Sequence, residues 1–294
     1  MVIFFKMTRT NIIIGFIIFA NLVFAKNCFS TAQIPDIIIY KGDTLSLFYC
    51  PLDHYPDSYL ITPRNLFGGT GCFFSASWAN YRATWEIHDN KLYLINIRNT
   101  CYPTNTNDIA ASFKSESDSI GTEYADLKKI FPDRYKDGKV FADWVSGKMI
   151  IPIGKLLYYV HDGFESIYEK EKELTIANGF LLSVNEFDNS KTKESPYHDQ
   201  ILVDYIYNKI NWDSIPDLKE ERIKVFISFS GNENGVIDSI IVLRGCNKFY
   251  DSIAVAVIKS IPNWNIKYRH GKFERTVWNI PVVFSEEQRK KYNH

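Results

Sequence analysis

The sequence predicts an α+β fold in two parts: a mainly antiparallel, strand-rich first half, then a small unit of two helices on a three-stranded sheet. Three observations predict it. Runs rich in aromatic and β-branched residues, separated by short polar or glycine turns, fill the first half. In the second half an Asn-Gly turn joins two apolar runs, and a helical pattern and a final period-2 stripe follow them. Between the halves, residues 186–197 read EFDNSKTKESPY without apolar periodicity, which marks a linker.

The chain begins with an address. Basic Lys6 and Arg9 precede the apolar run NIIIGFIIFANLVFA at Asn11–Ala25, a charged region followed by a hydrophobic one. Spanning a bilayer takes about 20 apolar residues, so the run is short for a permanent anchor. Residues 1–32 are therefore expected to be a signal peptide, cut before Gln33 after Ser30-Thr31-Ala32; cutting before Lys26 is the second choice. Lys26, two positions before Cys28, argues against a lipoprotein signal. The alternative is an uncleaved inner-membrane anchor, lengthened by Met1–Phe5, and membrane contact is expected through this segment alone.

Residues 33–185 form the first domain. Tyr81–Ile87 and Lys91–Ile97, joined by His88-Asp89-Asn90, read as a hairpin. Lys139–Trp144, Gly147–Ile153 and Leu156–Val160 read as strands, with Gly147 and Gly154 as turns. The glycine-rich FGGTGC at Phe67–Cys72 lacks the Lys and Ser/Thr of a phosphate loop and reads as a flexible turn. In YYVHDGFESIYE, Glu165 and Glu169 stand one helical turn apart: a strand entering a solvated amphipathic helix is the plain reading, and an acid/base pair is the enzymatic one. The stretches YRATWEIHDNKLYLINI and VFADWVSGKMIIPIGKLLYYVHDGFESIYEKEKELTI are similar to an uncharacterised group of bacterial proteins, a resemblance that implies no function.

Residues 198–286 form the second domain, and 287–294 a polar tail. Ile201, Leu202, Tyr205, Ile206 and Ile210 suggest a helix. Ile223, Val225, Ile227 and Phe229 alternate along one strand, and Val236–Leu243 forms the next. Phe249–Asn263 carries Ala254, Val257, Ile258 and Ile261 at helical spacing, with Asp251 or Ser252 as N-cap and Pro262 as stop. Thr276, Trp278, Ile280, Val282 and Phe284 then place a third strand over Phe273–Phe284.

In this order the elements resemble the TonB C-terminal domain family over about residues 200–285. Asn234-Gly235-Val236-Ile237, Val242-Leu243-Arg244-Gly245, Asp251, Ile261-Pro262-Asn263-Trp264, Gly271-Lys272 and Ile280-Pro281-Val282-Val283-Phe284 carry the resemblance. Gly235 suits the positive φ of the hairpin turn, Asp251 can satisfy amides at the helix start, and Trp264 can close the helix on the sheet. Pro281 donates nothing to a ladder and belongs on an edge or at a strand end. The resemblance implies that the last strand pairs with an extended peptide of an outer-membrane protein, through Arg275, Thr276, Val277, Trp278 and Asn279. Charge at Lys272, Glu274 and Arg275 that merely protects the edge is the competing reading. An energy transducer would keep its anchor, a polar or His residue within it and a long Pro-rich spacer; the chain shows none of these patterns, so the resemblance implies the interaction module without the machine.

Composition excludes other classes. The chain of 294 residues holds 34 basic and 34 acidic groups. Without residues 1–32 the balance is 31 to 34, divided as −5 over 33–195 and +2 over 196–294. Neither part has the field for nucleic acid. No HExxH, GxSxG, Walker or dinucleotide pattern occurs, the six His show no ligand spacing, and no enzyme activity, cofactor or metal is expected. Cys72 and Cys101 are the favoured disulfide pair among Cys50, Cys72, Cys101 and Cys246, with four reduced thiols as the alternative. The expected protein is exported to the periplasm or outer envelope and binds a protein or peptide partner there. A second reading has the aromatics of the first half, within 15% Phe, Trp and Tyr overall, stacking on a glycan or small ligand.

Overall fold

The structure, a computed structural model, describes residues 31–73, 75–103, 120–219 and 221–293. The signal-peptide expectation falls almost wholly outside them. Among the described residues no helix is long and apolar enough to cross a membrane. The fold is α+β.

The first half is one large sheet. In chain order it contains β1 (Asp36–Tyr40), β2 (Asp43–Leu47), helical turn α1 (Pro63–Phe67), β3 (Tyr81–His88) and β4 (Lys91–Asn99). Helical turn α2 (Leu127–Ile130), β5 (Tyr135–Lys136), β6 (Lys139–Phe141), β7 (Gly147–Tyr158), β8 (Ile167–Ala177) and β9 (Phe180–Asp188) follow. The main path runs β2-β1-β3-β4-β9-β8-β7, with β6 also on β4 and β5 on β6. Pairing is antiparallel except between β1 and β3. The sheet curls until Phe48, just beyond β2, donates its N–H to the Ile150 carbonyl of β7 at 2.8 Å, so its two ends meet. Enclosed are Ile38, Trp85, Leu94, Phe131, Met149 and Ile151, all essentially inaccessible.

Several expectations need correction here. β7 is one long strand: Gly154, at φ 82°, lies at a register irregularity rather than in a turn. The stretch after Tyr159 forms no helix. Its Glu-Lys alternation also fits period 2, and it becomes β8, paired on both sides by β7 and β9. FGGTGC is anchored: the Asn80 side chain accepts the Cys72 N–H at 3.1 Å and donates to the Cys72 carbonyl at 2.9 Å.

The second half contains α3 (Asp199–Asn208), β10 (Ile223–Gly231), β11 (Ile237–Arg244), α4 (Lys248–Lys259), the hairpin β12 (Tyr268–Arg269) and β13 (Lys272–Phe273), β14 (Trp278–Phe284) and α5 (Glu286–Tyr292). A three-stranded sheet in the order β11-β10-β14 carries its own core, built on Val225, Ile227, Ala254, Ile258, Val282 and Phe284. Burying these apolar faces is the main stabilising term, at about 1.5–3 kcal/mol per large side chain. Asn247, not Asp251 or Ser252, caps α4, accepting the N–H groups of Phe249 and Tyr250. The last strand starts at Trp278, because Lys272–Phe273 folds back on Tyr268–Arg269 instead. The supposed polar tail is helical, and its buried Tyr292 stacks on Tyr207 at 5.3 Å.

The segment expected as a linker is fastened. Asn189, fully buried, accepts the Gly271 N–H at 2.9 Å, and Lys193 exchanges two backbone bonds with Ile266. The β12–β13 hairpin therefore joins the two halves.

Candidate functional site

The residues expected on the binding edge fall in two groups. β14 pairs on one side with β10, Trp278 opposite Phe229 and Phe284 opposite Ile223. Its other side is set by one contact: the Val283 N–H donates to the Tyr207 hydroxyl at 3.1 Å. In an antiparallel strand the N–H and C=O of one residue point the same way and alternate along the chain. Asn279, Pro281 and Val283 thus face away from β10. Tyr207 closes the edge at Val283, and Pro281 has no N–H to offer. Among the described residues no strand pairs with this side of Asn279, and Val277, just before β14, is exposed.

Trp278 and Asn279 lie in β14, while Arg275, Thr276 and Val277 precede it outside any strand. Val277 is 60% exposed and Trp278 37%. Arg275 is not available as an edge charge. Its guanidinium pairs with both carboxylate oxygens of Asp238 and donates to Ser230. That contact holds the carboxyl of Asp238 below the usual carboxylate range. The open stretch is short and uncharged, with Val277 before β14 and Trp278 and Asn279 within it.

Of the residues shared with the TonB pattern, Gly235 and Trp264 support the end of the sheet beside that stretch. Gly235 sits at φ 72°, and a Cβ there would lie 2.9 Å from the Trp264 carbonyl oxygen. Trp264 donates its N–H to the Gly235 carbonyl and packs its buried ring edge-on against Phe229 and Trp278. Asp251 accepts the Cys246 N–H at 3.0 Å, holding the loop before α4. Gly271 is the tip of the β12–β13 hairpin, and Phe284 is fully buried.

Glu165 and Glu169 do not form a pair on a helix. Glu165 is exposed and holds Arg269 through its carboxylate at 3.0 Å and its carbonyl at 2.9 Å. Glu169, on β8, accepts the Lys155 N–H at 3.0 Å. A cavity of about 300 Å³ does lie against Glu165, but its second carboxylate is Glu171, facing His270 of the docked hairpin. Sequence reasoning missed Glu171 and His270. The alternation Glu169-Lys-Glu-Lys-Glu173 carried a signal for Glu171; nothing local linked it to a histidine 99 positions later.

Several aromatics of the first half, Trp85, Trp144, Tyr55 and Phe131 among them, build its core. In the groove between β4 and β6 the rings are occupied, with the ammonium of Lys139 4.1 Å from the Tyr93 centroid. Phe73 and Trp78 are exposed, at 78% and 74%, on the loop that the Cys72–Cys101 disulfide ties down. Cys50 and Cys246 are free thiols.

Among the described residues no group of His, Cys, Asp and Glu is arranged to hold a metal ion. No protein-family model matches the chain, and no curated protein or solved structure matches it either.

Proposed function

We propose that this chain is an exported envelope protein whose second half, a TonB C-terminal-like module, binds a short extended segment of a protein partner along the open stretch of β14. The carrying observation is the unpaired side of Asn279, with Val277 and the ring of Trp278 exposed beside it. Added strands gain affinity from main-chain hydrogen bonds and selectivity from alternating side chains. The partner segment is accordingly short, since Pro281 and the Tyr207 hydroxyl limit the ladder. A disulfide at Cys72–Cys101 supports an oxidising compartment such as the periplasm.

A photo-crosslinking amino acid at Val277, with one at Leu243 on β11 as control, tests this in envelope extract. Capture of one defined partner from position 277 alone is expected, and loss of it when Asn279→Pro is added, which removes an outward N–H without touching the β10 ladder. Equal capture from both positions, or capture that survives the proline, sinks the reading. A second reading has one observation in its favour: Phe73 and Trp78 on the disulfide-held loop give the first half two exposed rings for a sugar face. Glycan-array binding by the chain, lost in Trp78→Ala, is its test.

A further inference from the structure

The cavity at the junction of the two halves carries a charge pattern of its own. Its apolar wall is Phe48, Ile150 and Phe164, and its ionisable groups are Glu165, Glu171, Arg269 and His270. Glu171 lies on the outer face of β8, opposite Phe187 of β9, and the β12–β13 hairpin lies over it. Arg269 is already committed: it holds Glu165 at 3.0 Å and Glu274 at 3.4 Å. Glu171 is left with His270. The imidazole Nδ1 stands 2.9 Å from its Oε2, yet neither atom completes an aligned hydrogen bond. The Glu171 side chain is only 5% exposed.

A carboxylate so far from water is costly unless a cation and good donors meet it. Beside it stand aromatic rings. Phe48 and Phe164 stack at 5.2 Å between centroids, and Tyr168 meets Phe48 edge-on at 5.7 Å. Two carboxylates line the cavity beside one guanidinium, which is shared with Glu274. A buried carboxylate supplies charge and hydrogen-bond acceptors, and ring faces add attraction for a desolvated cation of about 0.5–2 kcal/mol. A volume of about 300 Å³ suits one ring or a short chain, at the small end of ligand pockets.

We propose that this cavity binds a small organic ammonium ion, with the ammonium group on Glu171 and the apolar body against Phe48 and Phe164. An anion would meet two carboxylates, and a neutral molecule would bring no charge to Glu171. The site is separate from the β14 edge and stands or falls independently of it.

Isothermal titration of the full chain with benzylamine, cyclohexylamine and tyramine, against benzyl alcohol and benzoate, tests this. Saturable binding of at least one amine is expected, with benzyl alcohol and benzoate at least about tenfold weaker. Glu171→Gln, close in shape but uncharged, should weaken the amine at least about tenfold, the loss of about 1.4 kcal/mol or more. Phe164→Leu should weaken it several-fold and decides the matter if the first variant fails to fold. No saturable binding of any amine up to about 10 mM, a Kd worth under about 3 kcal/mol, overturns the proposal. Equal binding of benzyl alcohol, or undiminished amine binding in a folded variant, also overturns it.

Discussion

The hydroxyl of Tyr207 on α3 accepts the N–H of Val283 on β14 at 3.1 Å, closing one end of a sheet edge that no other described strand pairs. The donor is buried, with Val283 8% exposed and Tyr207 6%. Removing the hydroxyl alone strands that N–H. Leaving a buried donor unmatched costs about 1–3 kcal/mol. Tyr207→Phe should lower the denaturant midpoint by that amount with an unchanged slope, read by tryptophan fluorescence. A change under about 0.5 kcal/mol would mean that water reaches Val283 and the edge is open further than Asn279.

The domain junction makes a second, sharper demand. Asn189 has no exposed surface, and its Oδ1 accepts the Gly271 N–H at 2.9 Å while its Nδ2 donates to the Tyr168 carbonyl at 3.3 Å. One side chain thus bonds to both halves of the molecule. Asn189→Ala should loosen the hairpin and uncouple the halves, so that calorimetric unfolding splits into two transitions where the parent shows one. A single transition merely shifted to lower temperature would show that the halves remain docked without this contact.

These two residues show what the sequence makes visible and what it does not. The hairpin around Gly235, the helix through Ala254 and Ile258, and the stripe ending in Phe284 are local patterns, and the structure builds an element from each. The first-half hairpin turns at Asp89-Asn90, with φ 50° and 58°, one residue beyond the run read as its first strand. β8 was illegible as a strand because Glu165 and Glu169 also match helical spacing, and only pairing with β7 and β9 decides between periods 2 and 3.6. The junction depends on Asn189 meeting Gly271 and Glu171 meeting His270. Such contacts lie tens of residues apart, and no periodicity encodes them.

Asp36 gives the first half a dependence on pH. Burial pushes its carboxyl from the ordinary 3.8 up to about 7, although hydrogen bonds from the Trp85 indole and the Ala83 amide pull it down. The folded state therefore keeps a proton that the unfolded chain has already lost between pH 4 and 7. This contribution is fully present below 3.8 and is lost as pH rises through about 7. Three pH units of difference set its ceiling at about 4 kcal/mol. Unfolding free energies measured from pH 4 to 7 should fall more steeply for the parent than for Asp36→Asn. Parallel curves would place Asp36 in contact with water.

The cysteines should separate by reactivity. Burial raises the Cys50 thiol to about 12, so at neutral pH it carries almost no thiolate, the form that reacts. Cys246 is exposed before α4. With a chain starting at Gln33, native alkylation by iodoacetamide at pH 8 should label Cys246 alone, and denaturation should add Cys50. Cys72 and Cys101 should label only after reduction, since they are bonded across a 29-residue separation. Closing a loop of that size stabilises a fold by about 2–4 kcal/mol, so the double variant Cys72→Ser, Cys101→Ser should unfold at correspondingly lower denaturant. It should also release the loop carrying Phe73 and Trp78 to limited proteolysis. Four thiols labelled without reductant would remove the disulfide, and with it the support it lends to an exported protein.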